Sequence, residues 1–168
     1  MQWQRMHMTG DSPKRRTAHS AGVDGESLII FGGWDGMEEL GDVVRLSTVG
    51  GSGSWSKVET EGTGPSPRHF HSCGVVGRQY LVFGGYDGSE WRNDLSRLDL
   101  ETNTWHKIDL VAASERMQKL PGPPRVEHPI PGPRASGSLV VLADGRVLLF
   151  GGYDGQTFLD DMWVLHTP

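Results

Sequence analysis

The sequence predicts an all-β fold made of three repeated four-stranded sheets, and two observations predict it. One motif, a short apolar run ending in Phe-Gly-Gly-aromatic-Asp-Gly, occurs at Leu28–Gly36, Leu81–Gly88 and Leu148–Gly155. Around each copy the same flanking elements recur in one order, which marks a repeat array with one supersecondary unit per copy.

Each unit opens on Arg-x-x-[His/Gly]-Ser: Arg16–Ser20, Arg68–Ser72 and Arg134–Ser138. The apolar run that follows is continuous, short and bounded by turn residues, as in a strand buried on both faces. The pairs Gly32-Gly33, Gly84-Gly85 and Gly151-Gly152 lack Cβ and so permit close backbone approach between neighbouring sheets. The Asp-Gly after each pair supplies a tight turn. A third strand opens at Asp42, Asp94 and Asp161, and the fourth carries Trp55 or Trp105, expected to cover the outer strand and the gap to the next sheet.

Gly32 and Gly84 lie 52 residues apart, which fits one four-stranded unit, and Gly84 and Gly151 lie 67 apart. The excess places a Pro-rich inserted loop at 111–132, with one helical turn near Ser114–Lys119. The organisation is then 14–60 for the first blade, 66–110 for the second and 133–168 for the third, which lacks its outer strand. Residues 1–8, with Trp3, are expected to be the outer strand of an otherwise missing blade.

With these residues in place, the chain resembles the kelch-repeat β-propeller family over nearly its whole length. The Phe-Gly-Gly, the aromatic-Asp-Gly and the spaced Trp carry the resemblance. Gly137 departs from it, standing where the other units have His19 and His71. The resemblance implies a half or partial propeller whose early strand completes the last blade. Propellers use roughly four to eight blades, so three do not close a ring. Two chains joined about a two-fold axis would give six blades; a longer propeller chain is the other reading, favoured by the usual length of such arrays. An open array exposes a blade face and an unpaired edge.

Antiparallel strand order puts the post-diglycine loops and the segments leading into each first strand on one side. Arg16, Trp34, Glu38, Arg68, Tyr86, Trp91, Arg134, Tyr153 and Phe158 are the candidate partner contacts there, a mixture typical of recognition surfaces. Arg68 and Arg134 are read two ways, as bidentate ligands of an acidic peptide or as clamps on carboxylates between blades. For Trp91 and Phe158, packing on their own loops is the competing reading.

No catalytic residues are assigned. His19 and His71 repeat with the blade and lack metal-ligand spacing, Ser20 and Ser72 sit in no nucleophile elbow, and the diglycines precede turns instead of a helix. No metal or cofactor is expected. The function expected is a non-catalytic protein-interaction module; a kelch-type metal oxidase or isomerase and a cytoskeletal, actin-associated scaffold are the alternatives. Net charge of −5 argues against nucleic acid, whose phosphates need a concentrated basic surface. Cys73 is the sole cysteine, so no intramolecular disulfide is possible. No leader-like or membrane-length apolar run is present, and the cytoplasm is the expected compartment, the nucleus second.

Overall fold

A computed structural model describes residues 1–112 and 130–166. The inserted loop, with its expected helical turn, falls largely outside the described residues. The remainder forms three twisted sheets, each the expected blade.

The first sheet holds β1 (Met8–Gly10), β2 (Ser20–Asp24), β3 (Ser27–Trp34), β4 (Glu39–Ser47) and β5 (Gly53–Val58) in the order β1-β5-β4-β3-β2. The second repeats it with β6 (Glu61–Gly62), β7 (Ser72–Val76), β8 (Gln79–Tyr86), β9 (Trp91–Asp99) and β10 (Thr104–Ile108). The third contains β11 (Ser138–Val141), β12 (Val147–Tyr153) and β13 (Phe158–Leu165). The first strands β2, β7 and β11 are neighbours across blades, which places them innermost.

Two blades thus carry a fifth strand that the repeat does not announce. The segment leading into each blade first pairs in parallel with that blade's outer strand, Met8–Gly10 along β5 and Glu61–Gly62 along β10. Residues 1–7 form no strand, and Trp3 is fully exposed with no strand beside it.

Each diglycine makes a bulge: pairing with the third strand skips from Phe31 to Gly33, from Phe83 to Gly85 and from Phe150 to Gly152. The skipped glycine has a φ of 63–64° in all three blades. A Cβ on Gly32 would stand 2.6 Å from the Arg68 carbonyl oxygen, and one on Gly84 2.5 Å from that of Arg134. Glycine is therefore required by the approach of the next blade as well as by the bulge.

The core lies between blades. Ile29, Phe31 and Val43 of the first pack against Tyr80, Val82, Leu98 and Trp105 of the second. Leu81, Phe83 and Leu95 repeat the arrangement against Val147 and Leu149 of the third. The Trp105 ring meets Phe31 edge-on at 5.4 Å, so the outer-strand tryptophan seals the gap to the preceding blade and not to the following one. Trp55, its counterpart, is half-buried. Cys73 packs against the first core, and burial raises its thiol pKa, consistent with a small structural residue.

Candidate recognition surface

The post-diglycine loops are three copies of one turn. The Asp35 carboxylate accepts hydrogen bonds from the N–H groups of Met37 and Glu38 at 2.9 and 3.0 Å. Asp87 does the same with Ser89 and Glu90, and Asp154 with Gln156 and Thr157. These are Asx turns, the local geometry that an Asp-Gly sequence favours. Backbone N–H donation, first from Glu38 and first from Thr157, holds the Asp35 and Asp154 pKa values below the carboxylate range. At Asp87 burial opposes ionisation, but hydrogen bonds from Glu90, Ser89 and Arg92 outweigh it and the pKa falls.

Each turn holds an aromatic residue at its base, and the rings line up across the blades. Trp34 lies 6.4 Å from His69, His69 5.7 Å from Tyr86, Tyr86 4.6 Å from Trp91, Trp91 6.2 Å from Tyr153, and Tyr153 5.2 Å from Phe158, all between ring centroids. Such pairs are each worth roughly 0.5–1.5 kcal/mol beyond area burial, so the row is a fixed surface and not a set of loose side chains. Trp91 bridges two blades, packing on its own loop and on the next one. At the ends of the row Trp34 is 39% exposed and Phe158 89%. The Tyr86 hydroxyl donates to the Gly88 carbonyl at 3.0 Å.

The arginines do not take part. Arg68 is fully buried and clamps Asp94 with two hydrogen bonds, 2.6 and 3.0 Å, while also donating to the Gly84 carbonyl at 2.8 Å. Arg16 holds Asp42 and Arg134 holds Asp161 in the same way. The Arg16 and Arg134 side chains are likewise buried. Hydrogen bonds from these arginines lower the Asp42 and Asp161 pKa values. The expectation that Arg16, Arg68 and Arg134 meet a partner is therefore corrected. Their carboxylates belong to their own blade, not to a neighbour, and a guanidinium so engaged has few donors left to offer.

With the three clamped arginines withdrawn, the accessible charge around the row is mixed, carboxylates alternating with Lys14, Arg15 and Arg92. Glu38 is exposed and pairs with Lys14 at 2.8 Å, and Glu90 is exposed and pairs with Arg92 at 3.0 Å. Glu39 stands 3.7 Å from Nδ1 of His69.

Sequence reasoning missed two members of this surface. His69 joins the first and second loops. Phe70, beside it at 4.8 Å, is 48% exposed although its φ is +56°. Ala18 and Ser136 share that left-handed conformation at the matching positions. Only the offset from the lead-in arginine could have pointed to Phe70. Among the described residues, no group of three or more His, Cys, Asp and Glu side chains is arranged to hold a metal.

The profile described as the KLHDC2/KLHL20/DRC7 Kelch-repeats domain matches residues 1–167. A leucine-zipper-like transcriptional regulator 1 homolog of Drosophila melanogaster is 30% identical over 98% of this chain and 16% of its own length. The host cell factor of the same organism is 33% identical over 93% of this chain and 11% of its own. Host cell factor 2 of Homo sapiens is 30% identical over 94% of this chain and 22% of its own. The chain thus spans less than a quarter of each of these relatives.

Proposed function

Because the chain belongs to the kelch-repeat family of β-propeller proteins, we propose that it is a non-catalytic module that binds a protein partner on the aromatic row. The observation that carries this reading is the row itself. A continuous line of rings from Trp34 to Phe158, with Phe70 beside it, offers stiff apolar area at low entropic cost.

The exposed carboxylates of Glu38 and Glu90 at its margin select a partner segment with basic and apolar side chains. Cationic groups also sit favourably over Trp and Tyr faces.

The test is quantitative capture of partners by the immobilised chain. Trp34→Ser combined with Phe70→Ser should reduce capture at least about tenfold, in keeping with the weight carried by central aromatic residues. Glu38→Lys with Glu90→Lys should weaken it and reduce its salt sensitivity. Val49→Ser, an exposed change in the β4–β5 turn on the opposite side of the blade, should leave it unchanged. Native-level capture by the Trp34/Phe70 variant, with its strand circular dichroism intact, would refute the reading.

A further inference from the structure

The two strands that flank each post-diglycine turn set a pair of side chains directly opposite each other. In the second blade the pair is Tyr86 and Trp91, in the third Tyr153 and Phe158, and in the first Trp34 and Glu39. Opposed residues carry their Cβ atoms about 4.5–5.5 Å apart on one face of a sheet. The two aromatic pairs meet accordingly, with ring centroids at 4.6 and 5.2 Å. The first blade puts a carboxylate where the other two put a ring.

Glu39 keeps the reach of that ring as well as its register. Trp91 leans across to the turn of the third blade, where a Cβ on Gly155 would stand 3.1 Å from its indole. Glu39 leans across to the turn of the second, where a Cβ on Gly88 would stand 3.0 Å from one carboxylate oxygen and 3.1 Å from the other. Its side chain is only 26% exposed, with Trp34 opposite it and Nδ1 of His69 at 3.7 Å.

A carboxylate so placed loses hydration, which a cation or hydrogen-bond donors must offset. The other carboxylates along the row have such partners. Asp35, Asp87 and Asp154 accept backbone N–H bonds in their own turns, Glu38 pairs with Lys14, and Glu90 pairs with Arg92. Among the described residues, no lysine or arginine pairs with Glu39. Its one ion-pair neighbour is His69, whose Nδ1 is itself buried without a hydrogen-bond partner. The row has given up a ring here for a negative charge that the described residues leave without a permanent cation.

We infer that Glu39 is the subsite for one side-chain cation of the partner, an arginine guanidinium or a lysine ammonium, held on its carboxylate beside the exposed ring of Trp34. The carboxylate accepts charge-assisted hydrogen bonds from the cation, and the neighbouring ring faces attract it. Gly88, without a Cβ, leaves the approach to both oxygens clear. A neutral or acidic side chain gains neither attraction. The inference rests on the aromatic row being the partner-binding surface, and it adds which group of the partner is read there and by which residue. The competing role for Glu39 is structural, as an ion-pair mate of a protonated His69.

Titration of the isolated chain with short capped peptides at constant ionic strength tests it, with the Trp34 indole N–H followed by NMR. Acetyl-Gly-Arg-Gly-amide or acetyl-Gly-Lys-Gly-amide should shift that signal to saturation, and the two arms tell guanidinium from ammonium. Acetyl-Gly-citrulline-Gly-amide matches the arginine peptide in shape and lacks its charge. It should bind at least about fivefold more weakly, and Glu39→Gln should weaken the cationic peptides by a similar factor. Glu39→Gln should also keep the native urea midpoint, because no cation of the chain loses its partner. A lowered midpoint with peptide binding unchanged would make Glu39 a support for His69 and overturn the inference. Equal binding of the arginine and citrulline peptides, or no saturable shift with either cation, would overturn it too. The citrulline comparison uses the native chain and stays decisive should the variant fold poorly. No partner is needed, so the two readings fail separately. Partner capture lost by Trp34→Ser/Phe70→Ser, with no cation bound at Glu39, removes this inference and leaves the proposed function. The reverse pattern removes the proposed function.

Discussion

His19, His71 and Gly137 occupy one position of the repeat, and only His71 lies sealed between two blades. Its ring sits 5.1 Å from Phe31, and neither ring nitrogen has a hydrogen-bond partner. Burial first, and then the positive charge of Arg68, hold its pKa down to about 3. An unfolded histidine takes up its proton near 6.5. Between those values the unfolded chain binds more protons than the folded one, so the stability His71 contributes is complete above about pH 6.5 and is lost as pH falls toward 3. The slope approaches about 1.4 kcal/mol per pH unit at its steepest. His71→Phe keeps an apolar ring and removes the titration. Its urea midpoint should therefore change less between pH 7 and pH 5 than that of the native chain, a window above the range in which the depressed carboxylates Asp42 and Asp161 titrate. Equal pH dependence in the two proteins would show that His71 is not the group responsible. At this scale the sequence was also legible in part for the arginines. Each lies 26 or 27 residues before its aspartate, a nearly constant spacing that encodes the clamp. Spacing alone does not tell whether a carboxylate is met within a blade, between blades or on a ligand, and the folded geometry withdraws all three from the surface.

At the scale of the element, what the sequence made legible is whatever the repeat imposes by sterics. The diglycine bulge is such a case, and two substitutions separate its causes. Gly36 has a φ of 107° with open space where a Cβ would go, so Gly36→Ala should cost only backbone strain, about 1–2 kcal/mol. Gly84→Ala adds contact at 2.5 Å with the Arg134 carbonyl, which cannot move without shifting the third blade, and at 3.1 Å with the Arg92 carbonyl of β9. Overpacking of this kind costs about 1–3 kcal/mol more. Chemical denaturation of the two variants should place Gly84→Ala clearly below Gly36→Ala, and equal losses would mean that the close approach of blades is not what requires glycine. The short strands β1 and β6 were not legible, because two or three residues carry no periodicity. They are strands only because an outer edge happens to lie alongside. The direction in which Trp105 faces was equally hidden, since a tryptophan in an outer strand reads the same whichever blade it covers.

Taken as a whole, the molecule is a short stack in which each blade is stabilised by its neighbours, so stability depends on place in the array. The second blade is covered on both faces, by Phe31 and its neighbours on one side and by Val147, Leu149 and Trp163 on the other. The third has one open face, and the outer edge of β13 has no partner among the described residues. Local opening should follow that order, because few buried contacts and an unpaired edge make for low local stability. Hydrogen exchange read by mass spectrometry should find β8 and β9 slowest and β13 fastest. Uniform exchange across the three blades would contradict a nearest-neighbour stack and mean that the array unfolds as one unit, with the cover on each face contributing little to the blade beneath it.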